Sequence, residues 1–203
     1  MFSAEVKGIH LDYETCMDVY PPSDDTFLMM ESISPKGKCL EIGSGTGLTS
    51  VYMAKLGHEV VACDINRKAV DCTLRNAKLN NVEIEAKWSN LFSEIKGEFD
   101  TIVFNPPYLP TEDHFHGSEQ WDGGLDGFDT SWKFLSEADC HLNPDGKIFL
   151  ILSSLTDIES FIRKWPVYDF KITGKNEFFF EKIYCFEIKK NRYRILIGNH
   201  DIC

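Results

Sequence analysis

Hydrophobic residues along the chain gather in short runs, and stretches in which apolar residues recur every three or four positions separate most of these runs. The short runs predict strands and the spaced stretches predict helices. Strands are predicted over residues 38–42, 59–62, 82–86, 99–104, 148–152, 167–173 and 183–189. Helices are predicted after Ser23, over 48–56, between Asn66 and Asn80, from Asp129 or Thr130 to 142, and over 156–164. This alternation is typical of an α/β domain with a largely parallel sheet, which the last two strands close with an antiparallel member.

The length of the chain limits its organisation. At 203 residues it fits one domain, because domains cluster at roughly 100 to 200 residues. We predict a single domain over 1–203, in which residues 1–36 form a covering segment and residues 37–203 form the core. No apolar run approaches the roughly 20 residues that span a bilayer, and the first residues do not resemble a signal peptide. The sequence therefore predicts a cytoplasmic protein with no membrane association.

Charge and cysteine content narrow the function further. The net charge of −11 disfavours nucleic acid as a partner, because an acidic surface repels a polyanion unless a local basic patch overrides it. The seven cysteines are odd in number and include no Cys-x-x-Cys pair, which argues against a disulfide framework and against an intrinsic zinc site. We interpret most of them as small core residues.

Three glycines follow the first predicted strand and open the next helix: Gly43, Gly45 and Gly47. Glycine lets the chain turn sharply there and lets a ligand approach bare backbone. Asp64 ends the second predicted strand about 20 residues later, where an acidic side chain can accept hydrogen bonds from both hydroxyls of a ribose. The pattern indicates a nucleotide-type ligand, and a tight turn that holds no ligand is the alternative.

Glu41, directly before the glycine loop, distinguishes between two such ligands. A dinucleotide would place its pyrophosphate at the helix N-terminus, where the Glu41 carboxylate would repel it. The same carboxylate can bind an ammonium group, such as the amino group of S-adenosylmethionine. Gly47 also comes two residues after Gly45, instead of the three of a dinucleotide pattern. Asn90 and Leu91, after the third strand, are expected beside the adenine, where Asn90 can either bond the base or cap a loop.

The segment Asn105-Pro106-Pro107-Tyr108 directly follows the buried run 99–104. Its two prolines fix the backbone at the carboxyl edge of the sheet, where α/β domains bind ligands. A nitrogen conjugated with a planar group is a poor nucleophile, so a catalyst must hold its hydrogens on acceptors and point its lone pair at the reactive methyl. The Asn105 side-chain oxygen and the Pro106 carbonyl can be these acceptors, and Tyr108 can stack on the planar group. The segment predicts methylation of a planar nitrogen, with a proline-terminated structural turn as the alternative.

These motifs resemble those of the class I S-adenosylmethionine-dependent methyltransferases, and among them the HemK family of release-factor glutamine N5-methyltransferases. The family pattern is a glycine loop, an acid after the second strand and Asn-Pro-Pro-Tyr after the fourth, and the resemblance covers nearly the whole chain. The segment 19–27 is similar to the cofactor-covering entry of the archaeal and eukaryotic branch, and the segment 121–127 is similar to its glycine-rich loop. Asn90 departs from the pattern, because family members often carry aspartate there.

The resemblance implies a Rossmann-like α/β domain with a mostly parallel seven-stranded sheet, helices on both faces and an antiparallel C-terminal strand. It implies catalysis by Asn105, Pro106, Pro107 and Tyr108. It implies S-adenosylmethionine binding by Thr26, Glu41, Gly43, Gly45, Gly47, Asp64, Ile65, Asn90, Leu91 and Asn105. The implied substrate is the glutamine side-chain amide of the Gly-Gly-Gln motif in a class I peptide release factor, and a small zinc-binding activator subunit is an implied partner.

Three other functions compete with this one. Adenine and cytosine in DNA or RNA present the same planar nitrogen, but the acidic chain offers no broad basic face for a phosphate backbone. A protein that binds the cofactor only as a scaffold for a partner subunit would not need Asn105 and Tyr108. A nucleotide-dependent dehydrogenase would bind NAD in place of S-adenosylmethionine.

The segment 111–128 carries two histidines, His114 and His116, within a polar and glycine-rich stretch. We interpret it as a solvated lid over the substrate and not as a metal site, because methyl transfer from a sulfonium needs no Lewis acid. We therefore expect no metal ion.

Two further features are open to two interpretations each. The basic run 189–194 is either a surface for RNA-like or acidic partners or a solvated strand end. The run Phe178-Phe179-Phe180 is interpreted as core, whereas exposed apolar residues there or along 82–88 would form a subunit contact.

Overall fold

The computed structural model describes residues 1–107 and 129–191. Its helices are α1 (Asp24–Ser32), α2 (Leu48–Lys55), α3 (Arg67–Leu79), α4 (Asp129–Ala138) and α5 (Ile158–Arg163), with a 3-10 turn at Asp139–His141. Its strands are β1 (Phe2–Val6), β2 (Ile9–Tyr13), β3 (Cys39–Ile42), β4 (Val60–Asp64), β5 (Glu85–Trp88), β6 (Phe99–Phe104), β7 (Leu142–Ser153), β8 (Tyr168–Glu177) and β9 (Lys182–Lys190). Within the described residues, no helix is long and apolar enough to cross a membrane.

Seven of these strands form one sheet in the order β5-β4-β3-β6-β7-β9-β8. The five strands from β5 to β7 are parallel, while β9 runs antiparallel to both β7 and β8. The chain proceeds outward from β3 to β5 and then returns to the other side of β3 as β6. The strand order therefore reverses between β3 and β6, and open α/β sheets bind their ligands at such a point. The predicted fold class is confirmed.

Helices cover both faces of the sheet, because the buried strands are apolar on both sides. Along β6, Val103 packs toward α1, α2 and the N-terminal strands, whereas Ile102 and Phe104 pack toward α4 and α5. β7 alternates in the same way, with Phe149 in the first cluster and Leu150 in the second. The two clusters fix the sheet between its helices and so hold the ends of β3, β4 and β6 in place.

The N-terminal hairpin β1–β2 was not predicted from the sequence. Its turn residues Lys7 and Gly8 both have positive φ values, 49° and 79°, as the tight turns of two-residue hairpins require. A lysine in place of the usual asparagine or aspartate weakens the sequence signal for this turn. The hairpin packs over the helices, where Asp12 exchanges two hydrogen bonds with the Asn80 side chain and Leu11 is buried.

Three strands differ from their predictions by three or more residues at one end: β8 continues to Glu177, where residue 173 was predicted, and β5 and β7 differ as follows. β5 begins at Glu85, three residues after the apolar run begins, and among the described strands it pairs with β4 alone. The turn predicted at 143–146 lies inside β7, where the register against β6 shifts between the pairs Phe99↔Leu142 and Thr101↔Lys147. The extra residues bulge out of the ladder, so the predicted turn is an irregularity within one long strand.

The cysteine interpretation was wrong in part. Cys16 and Cys72 form a disulfide across 56 residues of sequence, and Cys140 is also disulfide-bonded. An odd count and the lack of a close pair do not exclude bridges between cysteines that the fold brings together. Of the remaining described cysteines, Cys39 and Cys185 are free and buried, as is Cys63, which agrees with a core role.

Candidate active site

A cavity of about 420 Å³ opens at the carboxyl ends of β3, β4 and β6, at the reversal of strand order. Most of the residues that the sequence assigned to a site line this cavity: Thr26, Glu41, Gly43, Gly45, Asp64, Ile65, Asn90, Leu91, Asn105, Pro106 and Pro107. Two of the assigned residues are not found there. Gly47 does not line the cavity, and Tyr108 lies outside the described residues.

The glycine loop exposes its backbone to the cavity. Gly43 and Gly45 have φ values of 65° and 54°, in the left-handed region that favours glycine. A Cβ atom at Gly43 would lie 3.4 Å from the ring of Phe104, and one at Gly45 would lie 3.6 Å from the Tyr20 carbonyl oxygen. The loop therefore passes close to its neighbours on both sides and leaves bare backbone for a ligand.

Gly47 lies behind the cavity lining, where its lack of a side chain permits close packing of two helices. It is the N-cap residue of α2 with φ 75°, and a Cβ atom there would lie 2.6 Å from the Thr73 side chain. Thr73 in turn hydrogen-bonds the Ser44 hydroxyl at 3.0 Å. The missing side chain thus lets α2 pack closely on α3 behind the loop.

Glu41 places a carboxylate at the base of the cavity. The side chain is buried, and its carboxylate accepts a hydrogen bond from the Ser50 hydroxyl on α2. Burial raises the pKa of Glu41 to about 7, against the opposing effect of the hydrogen bonds from Ser50 and Thr49. A cationic ligand group would favour the ionised form, so this carboxylate suits an ammonium group.

Asp64 ties the glycine loop to the start of α3. Its Oδ2 accepts the Gly45 backbone N–H at 2.9 Å, and its Oδ1 accepts the Asn66 N–H at 2.8 Å. Burial raises the pKa of Asp64, although these backbone hydrogen bonds lower it. Each carboxylate oxygen keeps a second lone pair, so the side chain can still accept hydrogen bonds from two ligand hydroxyls.

The wall formed after β4 and β5 is mostly apolar. Ile65 lines it, and its carbonyl accepts the Trp88 Nε1–H at 2.7 Å. Leu91 has a φ of 50°, which is uncommon for a residue other than glycine, and the Ser89 hydroxyl holds its carbonyl at 2.7 Å. Strained backbone of this kind is often found at ligand sites. With Asn90 beside it, this wall fits a planar base that is bonded along one edge.

Asn105 carries the most informative polar atom of the cavity. Its Oδ1 is buried and has no hydrogen-bond donor among the residues that the structure describes. Buried acceptors are nearly always satisfied, so one that lines a cavity points to a ligand donor. Pro106 and Pro107 line the cavity next to Asn105. The preceding residue, Phe104, packs its ring on that of Phe134, with ring centroids 4.6 Å apart. The end of β6, which carries Asn105, is therefore firmly packed.

The segment before α1 covers one side of the cavity, where Tyr20 and Thr26 both line it. The Tyr20 hydroxyl donates a hydrogen bond to Asp25, and Thr26 receives the Ser23 backbone N–H on its hydroxyl, as in a capping box. The disulfide of Cys16 ties this segment to α3.

Sequence reasoning missed several cavity residues. Those on the covering side are Tyr20, Pro22 and Asp25, and those on the opposite side are Asp129, Thr130 and Lys133. The first group lies in the segment 19–27, which resembles the cofactor-covering entry of the family. No periodicity in that segment shows which of its side chains face a ligand. The second group was interpreted only as the start of a helix, because nothing local indicates that α4 begins at the cavity.

The remaining features lie elsewhere or outside the described residues. His114 and His116 are outside them, and the described residues hold no group of three or more side chains suited to a metal ion. From the basic run, Lys189 pairs with Glu187 at 2.7 Å and Lys190 pairs with Asp139 at 3.0 Å. These two lysines are therefore engaged within the chain.

The chain is similar to methyltransferases in sequence and in structure. Residues 24–178 match the family model described as the methyltransferase small domain. A relative from Methanocaldococcus jannaschii, named "Putative protein N5-glutamine methyltransferase", is 41% identical over 175 residues, which are 83% of this chain and 88% of that protein. Human methyltransferase HEMK2 is 32% identical over 160 residues, or 70% of this chain and 75% of that protein. The solved structure of the E. cuniculi Mtq2–Trm112 complex, described as responsible for methylation of the translation termination factor eRF1, has a TM-score of 0.68 at 23% identity, over 86% of this chain and 100% of the matched chain.

Proposed function

The chain belongs to the methyltransferase small domain family, and from that premise we propose that it methylates the side-chain amide nitrogen of a glutamine in the Gly-Gly-Gln motif of a class I peptide release factor. It is an S-adenosylmethionine-dependent methyltransferase of the HemK type. What the family does not fix is the acceptor, because related folds and motifs serve different acceptors.

This proposal rests on the buried Oδ1 of Asn105, which has no hydrogen-bond donor among the described residues. An amide nitrogen has two hydrogens and a delocalised lone pair, and it becomes nucleophilic when acceptors hold the hydrogens and turn the lone pair toward the methyl group. Asn105 Oδ1 accepts one hydrogen, and we assign the second to the Pro106 carbonyl. The prolines keep both acceptors fixed. Tyr108 is proposed to stack on the planar amide.

The cofactor site follows from the same cavity. S-adenosylmethionine supplies an electrophilic methyl group on a positively charged sulfur. Glu41 binds the amino group of its methionine part, and Asp64 accepts the ribose hydroxyls while Gly45 holds the Asp64 carboxylate in place. Ile65 and Leu91 enclose the adenine. No strong base is required, since the nitrogen becomes acidic once it is methylated and its proton can leave to water.

The choice of a protein acceptor is supported by relatives and by charge. The Methanocaldococcus relative is named for protein glutamine methylation, and the Mtq2–Trm112 complex is described for methylation of a termination factor. The net charge of −11 disfavours a nucleic-acid backbone as the carrier of the acceptor nitrogen. A substrate of the translation apparatus implies a cytoplasmic location.

We also propose that the chain works with a small zinc-binding activator subunit and that its single domain has two parts. The described complex of Mtq2 with Trm112 supports a partner subunit. Among the strands that the structure describes, β5 lies at the edge of the sheet near the cofactor wall, and its Trp88 is 37% exposed. The single domain 1–203 is proposed with residues 1–36 as the cofactor cover and residues 37–203 as the catalytic core.

The proposal is tested by offering several acceptors with methyl-labelled S-adenosylmethionine. We expect label in intact release factor, and none when its Gly-Gly-Gln glutamine is replaced by alanine or when DNA or RNA oligonucleotides are offered. The assay is run with and without a candidate activator subunit, because a missing subunit would also suppress transfer. Label in oligonucleotides only would refute the proposed substrate.

A further inference from the structure

An exposed aromatic surface stands at the turn between β8 and β9. Phe179 and Phe180 are 92% and 84% exposed, and Phe178 and Leu155 are about half exposed beside them. The sequence interpretation of the phenylalanine run as core was therefore wrong. We call Leu155 and Phe178–Phe180 the aromatic tip. Contiguous apolar side chains of this size are uncommon on a protein surface and mark interaction sites.

Hydrogen bonds fix the turn that carries the aromatic tip. The turn closes with the Phe178 N–H donating to the Glu181 carbonyl at 2.7 Å, and the Ser153 hydroxyl donates to the Glu181 carboxylate at 2.6 Å. The rings of Phe179 and Phe180 pack edge to face, with centroids 4.5 Å apart. An aromatic side chain has few rotatable bonds, so it loses little conformational entropy on binding, which suits a binding hot spot.

The aromatic tip stands on the same edge of the sheet as Asn105. Phe104, which precedes Asn105, pairs with Leu150 in β7, and β7 continues in the same direction to Ser153, which pairs with Ile183. With strand spacings near 5 Å and about 3.3 Å per residue, this register places the tip roughly 20 Å from Asn105, or about six residues of extended chain.

The other flank of the hairpin also borders the cavity. The Asn176 side chain on β8 donates to the Asp24 carbonyl at 3.3 Å, where α1 begins. Asp25 and Thr26, the next two residues, line the cavity. The aromatic tip is thus joined to the rim of the active site through α1 and through β7.

We infer that the aromatic tip binds apolar side chains of the protein substrate, about six residues from the glutamine that is methylated. This inference rests on the proposed function and adds to it a contact that selects an intact protein over an isolated amide. The acceptor motif itself offers little to bind, because glycine has no side chain. A second contact away from the motif would supply the affinity that the motif lacks.

The surroundings of the tip favour a polypeptide over a nucleic acid. Aromatic side chains also stack on single-stranded bases, but such sites pair them with free cationic groups that follow the phosphate backbone. Here Lys175 and Lys182, the described lysines that flank the tip, both bond the Glu177 carboxylate, at 2.9 Å and 3.3 Å. Glu181 supplies a second carboxylate at the turn, so two acids balance the two lysines and the flanks carry no net charge, which suits apolar side chains and not phosphates.

The test compares a Phe179→Ser/Phe180→Ser double variant with the wild type in steady-state methylation of intact release factor. We expect KM for release factor to rise about tenfold or more, while kcat and the affinity for S-adenosylmethionine stay within about twofold. A Phe179→Leu/Phe180→Leu variant, which keeps apolar surface, should recover much of the loss. Leu74→Ser serves as the matched control, because Leu74 is exposed on α3 far from the hairpin, and it should leave KM unchanged.

Each other outcome counts against the inference in a distinguishable way. An unchanged KM in the serine variant overturns it while the proposed function stands. A lower kcat at unchanged KM, a loss of self-association, or a loss of response to an activator subunit assigns the tip to another role and also overturns it. If the wild type transfers no methyl to release factor, the proposed function fails, and the inference falls with it.

Discussion

The Glu41 carboxylate is expected to control how cofactor binding depends on pH. Burial raises the pKa of Glu41 to about 7, so below this pH the free site holds a neutral acid that binds an ammonium group poorly. We expect the affinity for S-adenosylmethionine to fall as pH is lowered through 7. A Glu41→Gln variant should bind about tenfold more weakly at pH 8 and show little pH dependence. Calorimetric titration from pH 6 to 8 checks this, and a wild-type affinity that is flat over this range would contradict the proposed role.

Ionisation of Glu41, which favours cofactor binding, is expected to destabilise the folded protein. The folded-state pKa of Glu41 lies above the ordinary value of 4.5, so ionisation costs stability, and this cost appears as pH rises from 4.5 through about 7. Glu41→Gln cannot ionise. We expect the variant to gain stability relative to the wild type at pH 8 compared with pH 5, as measured by thermal unfolding without cofactor. A difference in unfolding temperature that does not grow with pH would show that Glu41 ionises normally.

Gly47 is expected to affect stability far more than a glycine with a similar backbone elsewhere. Gly47 and Gly57 both have positive φ, but a Cβ atom at Gly47 would meet Thr73 at 2.6 Å, whereas none lies within 4 Å at Gly57. Gly47→Ala should cost about 1–3 kcal/mol more than Gly57→Ala in denaturant unfolding, because only the first is overpacked. Equal costs would mean that backbone strain alone explains both glycines.

The sequence predicts site residues well where a motif fixes both type and position. Asn105, Asp64 and Glu41 were predicted to lie at the cavity that they line, because each is at or next to the carboxyl end of a buried strand and these ends meet at one edge of a parallel sheet. The packing role of Gly47 could not be predicted, because the contact that requires a glycine there comes from Thr73 on another helix. Tyr20 was overlooked for a similar reason, since only the folded segment shows which side chains face the cavity.

At the scale of elements, the disulfide is expected to support cofactor binding. Cys16 lies in the segment that covers the cavity, which is also held to α3 by a hydrogen bond from Asn66 to the Asp18 carbonyl at 2.7 Å. Loss of the bridge should weaken binding of S-adenosylmethionine several-fold, and closure of a 56-residue loop predicts a stability loss of about 2–4 kcal/mol.

The measurement compares a Cys16→Ser/Cys72→Ser variant with a Cys140→Ser variant, which removes the other bridged cysteine. We expect only the first to lose cofactor affinity. In the Cys140→Ser variant, Cys16–Cys72 is the bridge that remains among the described residues. A reductant added to this variant should therefore reproduce the loss of cofactor affinity. Equal cofactor affinity in the two variants would show that the covering segment needs no covalent tie.

Helices and strands could be predicted where the hydrophobic pattern of the sequence agrees with the burial of the segment in the folded protein. β6 was predicted with its observed bounds, because a buried parallel strand is a continuous apolar run. The β1–β2 hairpin was missed, because its turn residues are Lys7 and Gly8 and each of its strands buries a single residue. The Cys16–Cys72 bridge was missed because pairing across 56 residues depends on the tertiary fold.

For the whole molecule, the negative charge is expected to restrict binding to nucleic acid. Lys189 and Lys190, the described lysines of the basic run, are paired with acids, so they offer no free cation to a phosphate backbone. At physiological salt we expect oligonucleotides to compete poorly with release factor for the wild-type enzyme. A fluorescence titration with single-stranded RNA checks this, and submicromolar affinity would contradict it.

The central claim is that Asn105 accepts a hydrogen bond from the substrate amide, and one comparison tests it most directly. Asn105→Ala and Asn90→Ala remove the same amide group from two positions in one cavity. We predict that methyl transfer to release factor in Asn105→Ala falls by about 100-fold or more in kcat with cofactor affinity within a few-fold. Asn90→Ala should weaken cofactor affinity and leave kcat nearly intact. Persistent turnover in Asn105→Ala at saturating cofactor would contradict the account.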